Sequence, residues 1–345
     1  MTKRNDAAQA AAADAALPIN RIFLTGGSGY IGRNLIRYFL EKDTPVTALA
    51  RSRRSAEIVS ALGAQACSGD VFSGALSQGM AGCDVLIHAA ADLDHGIGSV
   101  EQHRVNVEGT RAVFEAASAA GVRTAIMVST ESVLADGRPL VNVDESQPLP
   151  RRPAGSYSAS KARAEQLALS FNGPDMAVTA VRPRMVWGRD DTTALPQLMD
   201  AVQSGRFAWI SQGDYCTSTT HIANLCAGID CAIMRGNGGE VFFLADEQPV
   251  QFRQFVTALL ATQGISAPRK SVHRSVLRLL VALGAVLHRL SRGKVVPPLT
   301  LQAYATSAVE ITLNIEKAKR ELGYQPVMSR EAGLAELRAA RQVTS

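Results

Sequence analysis

Three glycines spaced three apart, Gly26, Gly29 and Gly32, follow the apolar run Ile22-Phe23-Leu24 and lead into an amphipathic stretch from Ile31 to Glu41. A glycine turn that closes a buried strand and opens a helix commits the chain to a βα unit, and so to a parallel sheet. Gly26 allows the sharp reversal, Gly29 leaves no Cβ in the way of a pyrophosphate, and Gly32 lets helix and strand pack closely. The helix start adds free N–H groups and a partial positive charge where an anion would lie. With Ser28, Tyr30 and Ile31 filling the turn, this segment predicts a dinucleotide site.

The rest of the chain supports that architecture. Short apolar runs alternate with longer amphipathic stretches: Val46 to Ala50, Ala64 to Cys67, Asp84 to His88, Thr124 to Ser129 and Val178 to Arg182 read as further strands, with a helix from about Glu101 to Ala120. The expected class is α/β, a Rossmann-type doubly wound parallel sheet over residues 19–188. After Gly188 the rhythm loosens into helices near 195–205 and 222–234 and a short strand at Glu240 to Leu244. That change predicts a smaller, mostly helical C-terminal substrate lobe over 189–345, parts of it returning to the first domain. Residues 1–18, rich in alanine and charge, predict a disordered extension rather than a targeting segment.

Composition narrows the function classes. Hydrophobic residues make up 46% of the 345, enough for a sizeable core. The net charge of +5 is spread along the chain, so no nucleic-acid footprint is visible. Five cysteines in an odd count, without C-x-x-C spacing, read as reduced thiols of a cytoplasmic protein. The longest apolar run, Leu279 to Leu287, is too short to cross a bilayer, which takes roughly 20 helical residues. It reads as a buried helix, with an interfacial helix as the alternative. His88, His95, His103 and His221 lack ligand spacing, and no metal site is expected. His221 reads as a structural hydrogen-bonding residue. Asp92, Asp94 and His95 read as solvated loop residues, with the substrate pocket as their alternative.

Cofactor choice is written at the end of the second strand. A carboxylate there would hold the adenosine ribose hydroxyls and repel a 2′-phosphate. The chain instead has Ala50-Arg51-Ser52-Arg53-Arg54, and a guanidinium fork suits phosphate. NADP(H) is expected in preference to NAD(H), with Arg51 the main contact beside Ser52 and Arg54. Asp70-Val71 would flank the adenine, and His88 with Ala89-Ala90-Ala91 would border the nicotinamide ribose. Tyr157 and Lys161 are four residues apart and share a helix face. An ammonium near a phenol favours the phenolate and lowers its pKa, so Tyr157 can exchange a proton with a substrate oxygen.

Taken together, Thr25 to Gly32, Asn106 to Thr110, Tyr157 to Lys161 and Arg182-Pro183 resemble the extended short-chain dehydrogenase/reductase family, within the NAD-dependent epimerase/dehydratase superfamily. The likeness spans about residues 20 to 340. It implies Thr130 as the catalytic hydroxyl, with Ser129 the second candidate. Asn106 is placed near the cofactor as a chiefly architectural residue, and Pro183 at the cofactor's edge. Sugar dehydratases of this family carry an acidic pair where Thr130-Glu131-Ser132 stands. Nucleotide-sugar enzymes carry an asparagine where Met185 stands and an arginine where Thr217 stands.

The C-terminal segments resemble the 3β-hydroxysteroid dehydrogenase-like branch instead: Thr219 to Asn224, Glu240 to Val250, Pro297 to Thr300 and Lys317 to Tyr324. That likeness implies an NADP(H)-dependent oxidoreductase reducing a ketone, or oxidising the secondary alcohol, of a hydrophobic substrate such as a steroid or a 3-ketoacid. The apolar helix 279–287 resembles the branch's membrane-associating segment, so peripheral membrane contact through 275–292 is an alternative to a lobe covering an apolar pocket. A monomer or a homodimer is expected. The competing expectations are a nucleotide-sugar epimerase and a non-catalytic NADP(H)-binding redox sensor.

Overall fold

The computed structural model describes residues 19–92, 100–291, 294–295, 297 and 299–344. The expected extension at 1–18, and Asp94 and His95, lie outside the described residues. Seven strands form the central sheet: β1 (Ile22–Thr25), β2 (Val46–Ala50), β3 (Gln65–Ser68), β4 (Val85–His88), β5 (Thr124–Val128), β6 (Ala177–Pro183) and β7 (Glu240–Leu244). Their order is β7-β6-β5-β4-β1-β2-β3, with every neighbouring pair parallel. β1, β2 and β4 are buried at every position. Strands covered on both faces must be, which is why they read as unbroken apolar runs.

Helices α1 (Tyr30–Leu40), α2 (Arg53–Ala61), α3 (Gly109–Ala119) and α4 (Ser156–Leu169) cover the sheet. The chain steps outward from β1 through β2 to β3, then returns to β4 on the other side of β1. Such a reversal leaves a crevice beyond the carboxyl ends of the strands, where these sheets bind ligands. The helix expected over 101–120 runs unbroken from Val100 to Ala119 but is not α throughout. Residues Val100–His103 lead into a π turn at Arg104–Glu108 before α3 begins. Insertions of that kind often mark functional sites.

Beyond Gly188 come α5 (Ala194–Gln203), α6 (Ile222–Arg235), α7 (Phe252–Thr262), α8 (Arg274–Leu290) and α9 (Leu301–Ser307). β7, expected in the second lobe, pairs with β6 and is the sheet's seventh strand. The segments Thr219 to Asn224 and Ala245-Asp246 knot the two parts together. Asp246 Oδ2 accepts from Trp187 Nε1 (2.9 Å) and Thr219 Oγ1 (2.6 Å), while Oδ1 accepts from the His221 backbone (2.7 Å) and Asn224 Nδ2 (2.7 Å). Four donors thus satisfy both oxygens of one buried carboxylate. His221 caps α6 through Nδ1, which accepts from the Ala223 N–H. The structural reading of this histidine therefore fits its surroundings.

The buried reading of Leu279 to Leu287 is overturned. Val281 is the one buried residue of α8, and Leu279, Leu280, Leu283, Val286 and Leu287 are all exposed. No helix among the described residues is long and apolar enough to cross a membrane.

Candidate active site

A cleft of about 720 Å³ opens at the strand-order reversal. Its floor is the glycine turn with Ser28, Tyr30 and Ile31, its sides Arg51, Asp70, Val71 and Ala89 to Ala91, and its far end Thr130, Tyr157 and Pro183. Gly26 holds φ +74°, and a Cβ there would lie 2.8 Å from the Ala89 and Ala90 backbone. A Cβ on Gly32 would lie 2.2 Å from the Gly26 carbonyl oxygen. Neither position tolerates a side chain without moving the turn. A cradle kept this close to backbone, at the mouth of α1, fits a dinucleotide pyrophosphate.

Arg51 lines the cleft just beyond β2, at the position read for cofactor choice. Ser52 and Arg54 do not line it. Ser52 caps α2 by accepting from the Ser55 N–H, and Arg54 is exposed on that helix. Sequence reasoning missed Phe72 and Arg104, which line the cleft with Asp70 and Val71, the guanidinium 4.3 Å over the ring. The π turn that positions Arg104 leaves no mark in a hydropathy pattern.

Beneath the cleft runs a directed hydrogen-bond chain. Ala90 N–H donates to Thr25 Oγ1 (3.2 Å), which pairs with His88 Nδ1 (2.7 Å); His88 Nε2 pairs with Thr110 Oγ1 (2.9 Å), whose proton goes to the Asn106 carbonyl (2.7 Å). Because Thr110 spends its proton on Asn106, His88 must carry its own on Nε2 and accept at Nδ1. Asn106 then bonds the Asp92 backbone through both side-chain groups and donates to Ser160 Oγ (3.1 Å) on α4. It stands behind the cleft wall rather than in it, in keeping with an architectural role.

Burial first, then the Lys161 charge, pushes His88 down from 6.5 to about 3. A depressed histidine favours the folded state above its unfolded pKa. That advantage drains away as pH falls below 6.5, by up to about 1.4 kcal/mol per pH unit. A His88→Gln variant should therefore show a flatter fall of melting temperature between neutral and acid pH than the parent. Parallel curves from thermal denaturation would assign the acid sensitivity elsewhere.

The reactive end is built by β5, the turn after it and α4. Tyr157 lies on the first turn of α4, 7% exposed and facing the cleft. Lys161, one turn on, is fully enclosed and donates from Nζ to the Val128 carbonyl at 2.9 Å. Burial pushes its ammonium down to about 8, against a smaller upward pull from Glu165. The expected lowering of the Tyr157 pKa is not what the chain alone provides. Burial, and then repulsion from Glu131, hold the phenol above its ordinary range.

Glu131 is the residue the sequence did not single out. It lies 5% exposed beside Tyr157, its Oε1 2.5 Å from Arg184 NH1 and its Oε2 accepting from Thr130 Oγ1 at 2.9 Å. Arg184 is equally buried and donates from Nε to Thr217 Oγ1 (2.9 Å) and from NH2 to the Thr306 carbonyl (3.2 Å). Thr217, in the place of an expected arginine, thus serves an internal network. Met185 lines the cleft at φ +44°. Of the two candidate hydroxyls, Thr130 is tied to Glu131 and Ser132, whereas Ser129 Oγ is buried, finds no hydrogen-bond partner among the described residues, and belongs to a residue that lines the cleft.

The chain is similar to proteins already known. Residues 23–274 match the model of the 3-beta hydroxysteroid dehydrogenase/isomerase family. A 4-hydroxy-2-methyl-3-oxo-4-farnesyl-3,4-dihydroquinoline-1-oxide ketoreductase from Stigmatella aurantiaca is 49% identical, over 93% of this chain and 96% of that protein. A decarboxylating sterol-4-alpha-carboxylate 3-dehydrogenase from Dictyostelium discoideum is 30% identical, over 92% of this chain and 100% of its own. Among solved structures, gox2253 superposes with a TM-score of 0.76 at 26% identity, covering 93% of this chain and 98% of that one. The cleft, the Tyr157–Lys161 helix and these likenesses converge: the chain belongs to the 3-beta hydroxysteroid dehydrogenase/isomerase family.

Proposed function

We propose that this protein is an NADP(H)-dependent oxidoreductase that reduces a ketone of a hydrophobic substrate, reversible as a secondary-alcohol dehydrogenase. The observation that carries the reading is the placement of Tyr157 in the same cleft as the glycine cradle. The relatives named above, a ketoreductase of a farnesylated quinoline oxide and a sterol dehydrogenase, support a large apolar substrate. When bound, the nicotinamide supplies a hydride to the carbonyl carbon. The protein does the rest. Gly26, Gly29 and Gly32 bind the pyrophosphate, Arg51 takes the 2′-phosphate, and Asp70-Val71 flanks the adenine. Tyr157 delivers a proton from its phenol oxygen to the carbonyl oxygen, while Ser129 or Thr130 holds that oxygen in place. A phenol kept protonated by burial is the form a reductase needs at the start of its cycle. Five free thiols support a reducing compartment such as the cytoplasm.

The nucleotide-sugar alternative is weakened by the same residues. A sugar diphosphate needs donors or cations in the substrate half of the cleft. Arg184, next in sequence to the cleft-lining Pro183 and Met185, is instead committed to Glu131, Thr217 and Thr306.

Steady-state kinetics with NADPH and NADH test the assignment. A charge-assisted bidentate contact contributes roughly 1.5–3 kcal/mol. Arg51→Ala should therefore raise the KM for NADPH about tenfold or more and leave that for NADH nearly unchanged. A parent enzyme that prefers NADH would refute the 2′-phosphate assignment, and turnover of a uridine diphosphate sugar would revive the epimerase.

A further inference from the structure

Among the described residues, the cationic side chains that line the cleft are Arg51 and Arg104. Arg104 is the more elaborately held. Its guanidinium lies 4.3 Å over the centre of the Phe72 ring, with the side chain still 47% exposed. NH1 stands 3.1 Å from both oxygens of Glu101, which also lines the cleft. The ring beneath is fixed in turn. Phe72 N–H donates to Asp70 Oδ1 at 2.9 Å, and a Cβ on Gly109 would lie 2.8 Å from Val71 Cγ2, so Asp70 to Phe72 sit tight against the start of α3. The π turn that Arg104 opens is anchored by Asn106 to the Asp92 backbone and to Ser160 on α4. The segment after β3, the π turn and Glu101 thus set the guanidinium in one place on the cleft wall.

We propose that Arg104 is the platform on which the cofactor's adenine stacks, with Phe72 as the layer beneath it. The proposal rests on the dinucleotide reading of the cleft and adds to it a residue that reading does not contain. A guanidinium is planar, and an aromatic ring on one face leaves the other for a second π system. Purines stack on such surfaces whatever their edges bond. Placement favours the base over a phosphate. Arg104 shares its wall with Asp70 and Val71, which the dinucleotide reading sets beside the adenine, whereas Arg51 follows β2. The charge of Arg104 is already met by Glu101, and a phosphate drawn to it would meet that carboxylate as well. What the residue offers a ligand is its face.

Calorimetric titration of the full chain with NADPH, NADH and adenosine 2′,5′-bisphosphate tests it. R104A should weaken all three by the same factor, about tenfold, because all three carry the base. R104K keeps the charge but not the planar face, and should bind nearly as weakly as R104A. Reduced nicotinamide mononucleotide, which lacks the base, should bind parent and R104A alike. Arg104 is exposed, so melting temperatures should stay together and separate lost stacking from lost folding. Unchanged affinities in R104A, or full recovery in R104K, would overturn the proposal and leave the dinucleotide reading standing. A loss for NADPH and the bisphosphate with none for NADH would overturn it too, by moving Arg104 to the 2′-phosphate. A parent that binds none of the three nucleotides would refute the dinucleotide reading itself, and the platform with it.

Discussion

Replacing Tyr157 by Phe should lower turnover by about a hundredfold or more, the usual contribution of a positioned proton donor, with NADPH binding essentially unchanged. The separation between the two effects follows from the geometry. The cradle that binds the dinucleotide is made by Gly26, Gly29 and Gly32 after β1, and Tyr157 stands on α4 at the other end of the cleft. The substituted phenyl ring would fill the same space, so the fold has no cavity to collapse around. Single-turnover reduction of a hydrophobic ketone, paired with cofactor titration by fluorescence, measures both quantities. If turnover survives the substitution, another group supplies the proton, and Ser129, whose buried hydroxyl has no partner among the described residues, is the next to replace.

The frame was legible because it rests on local rules. A strand covered on both faces must be apolar throughout, and a turn facing phosphate must be glycine, so β1, β2, β4 and the cradle could be read one segment at a time. What escaped depended on distance along the chain or on facing. β7 joins β6 through α6, and nothing in Glu240 to Leu244 says which strand it will pair with. The apolar run in α8 could not disclose that most of it looks outward, since composition is blind to which side finds a partner. Glu131 and Arg184 are 53 residues apart and each would pass for a surface charge. Their burial appears only once β5 and the segment after β6 lie side by side. The same is true of Arg104, which the π turn swings over Phe72.

Glu131→Gln should produce the second large effect, on stability and on the pH profile together. The substitution leaves the Arg184 guanidinium buried without its counter-charge, and breaking a buried pair from one side typically costs about 3–5 kcal/mol. The glutamine amide can still accept from Arg184, which places the expected loss at the lower end of that range. Arg184→Met alone should be as damaging, because it strands the carboxylate. The double variant should be more stable than the sum of the two single losses, by about 0.5–3 kcal/mol if the pair is coupled as drawn. Urea denaturation of the four proteins closes that cycle, and simple additivity would show that the contact carries no energy. The consequence for chemistry has a definite sign. Glu131 is one of the two causes that raise the Tyr157 pKa, so its neutralisation must lower it. Alcohol oxidation needs the phenolate, so its rate rises with pH through that pKa, and in Glu131→Gln the rise should begin at lower pH than in the parent. Ketone reduction needs the phenol and should lose activity earlier on the alkaline side. A merely structural role for Glu131 would reduce the amount of folded enzyme and leave both limbs where they were.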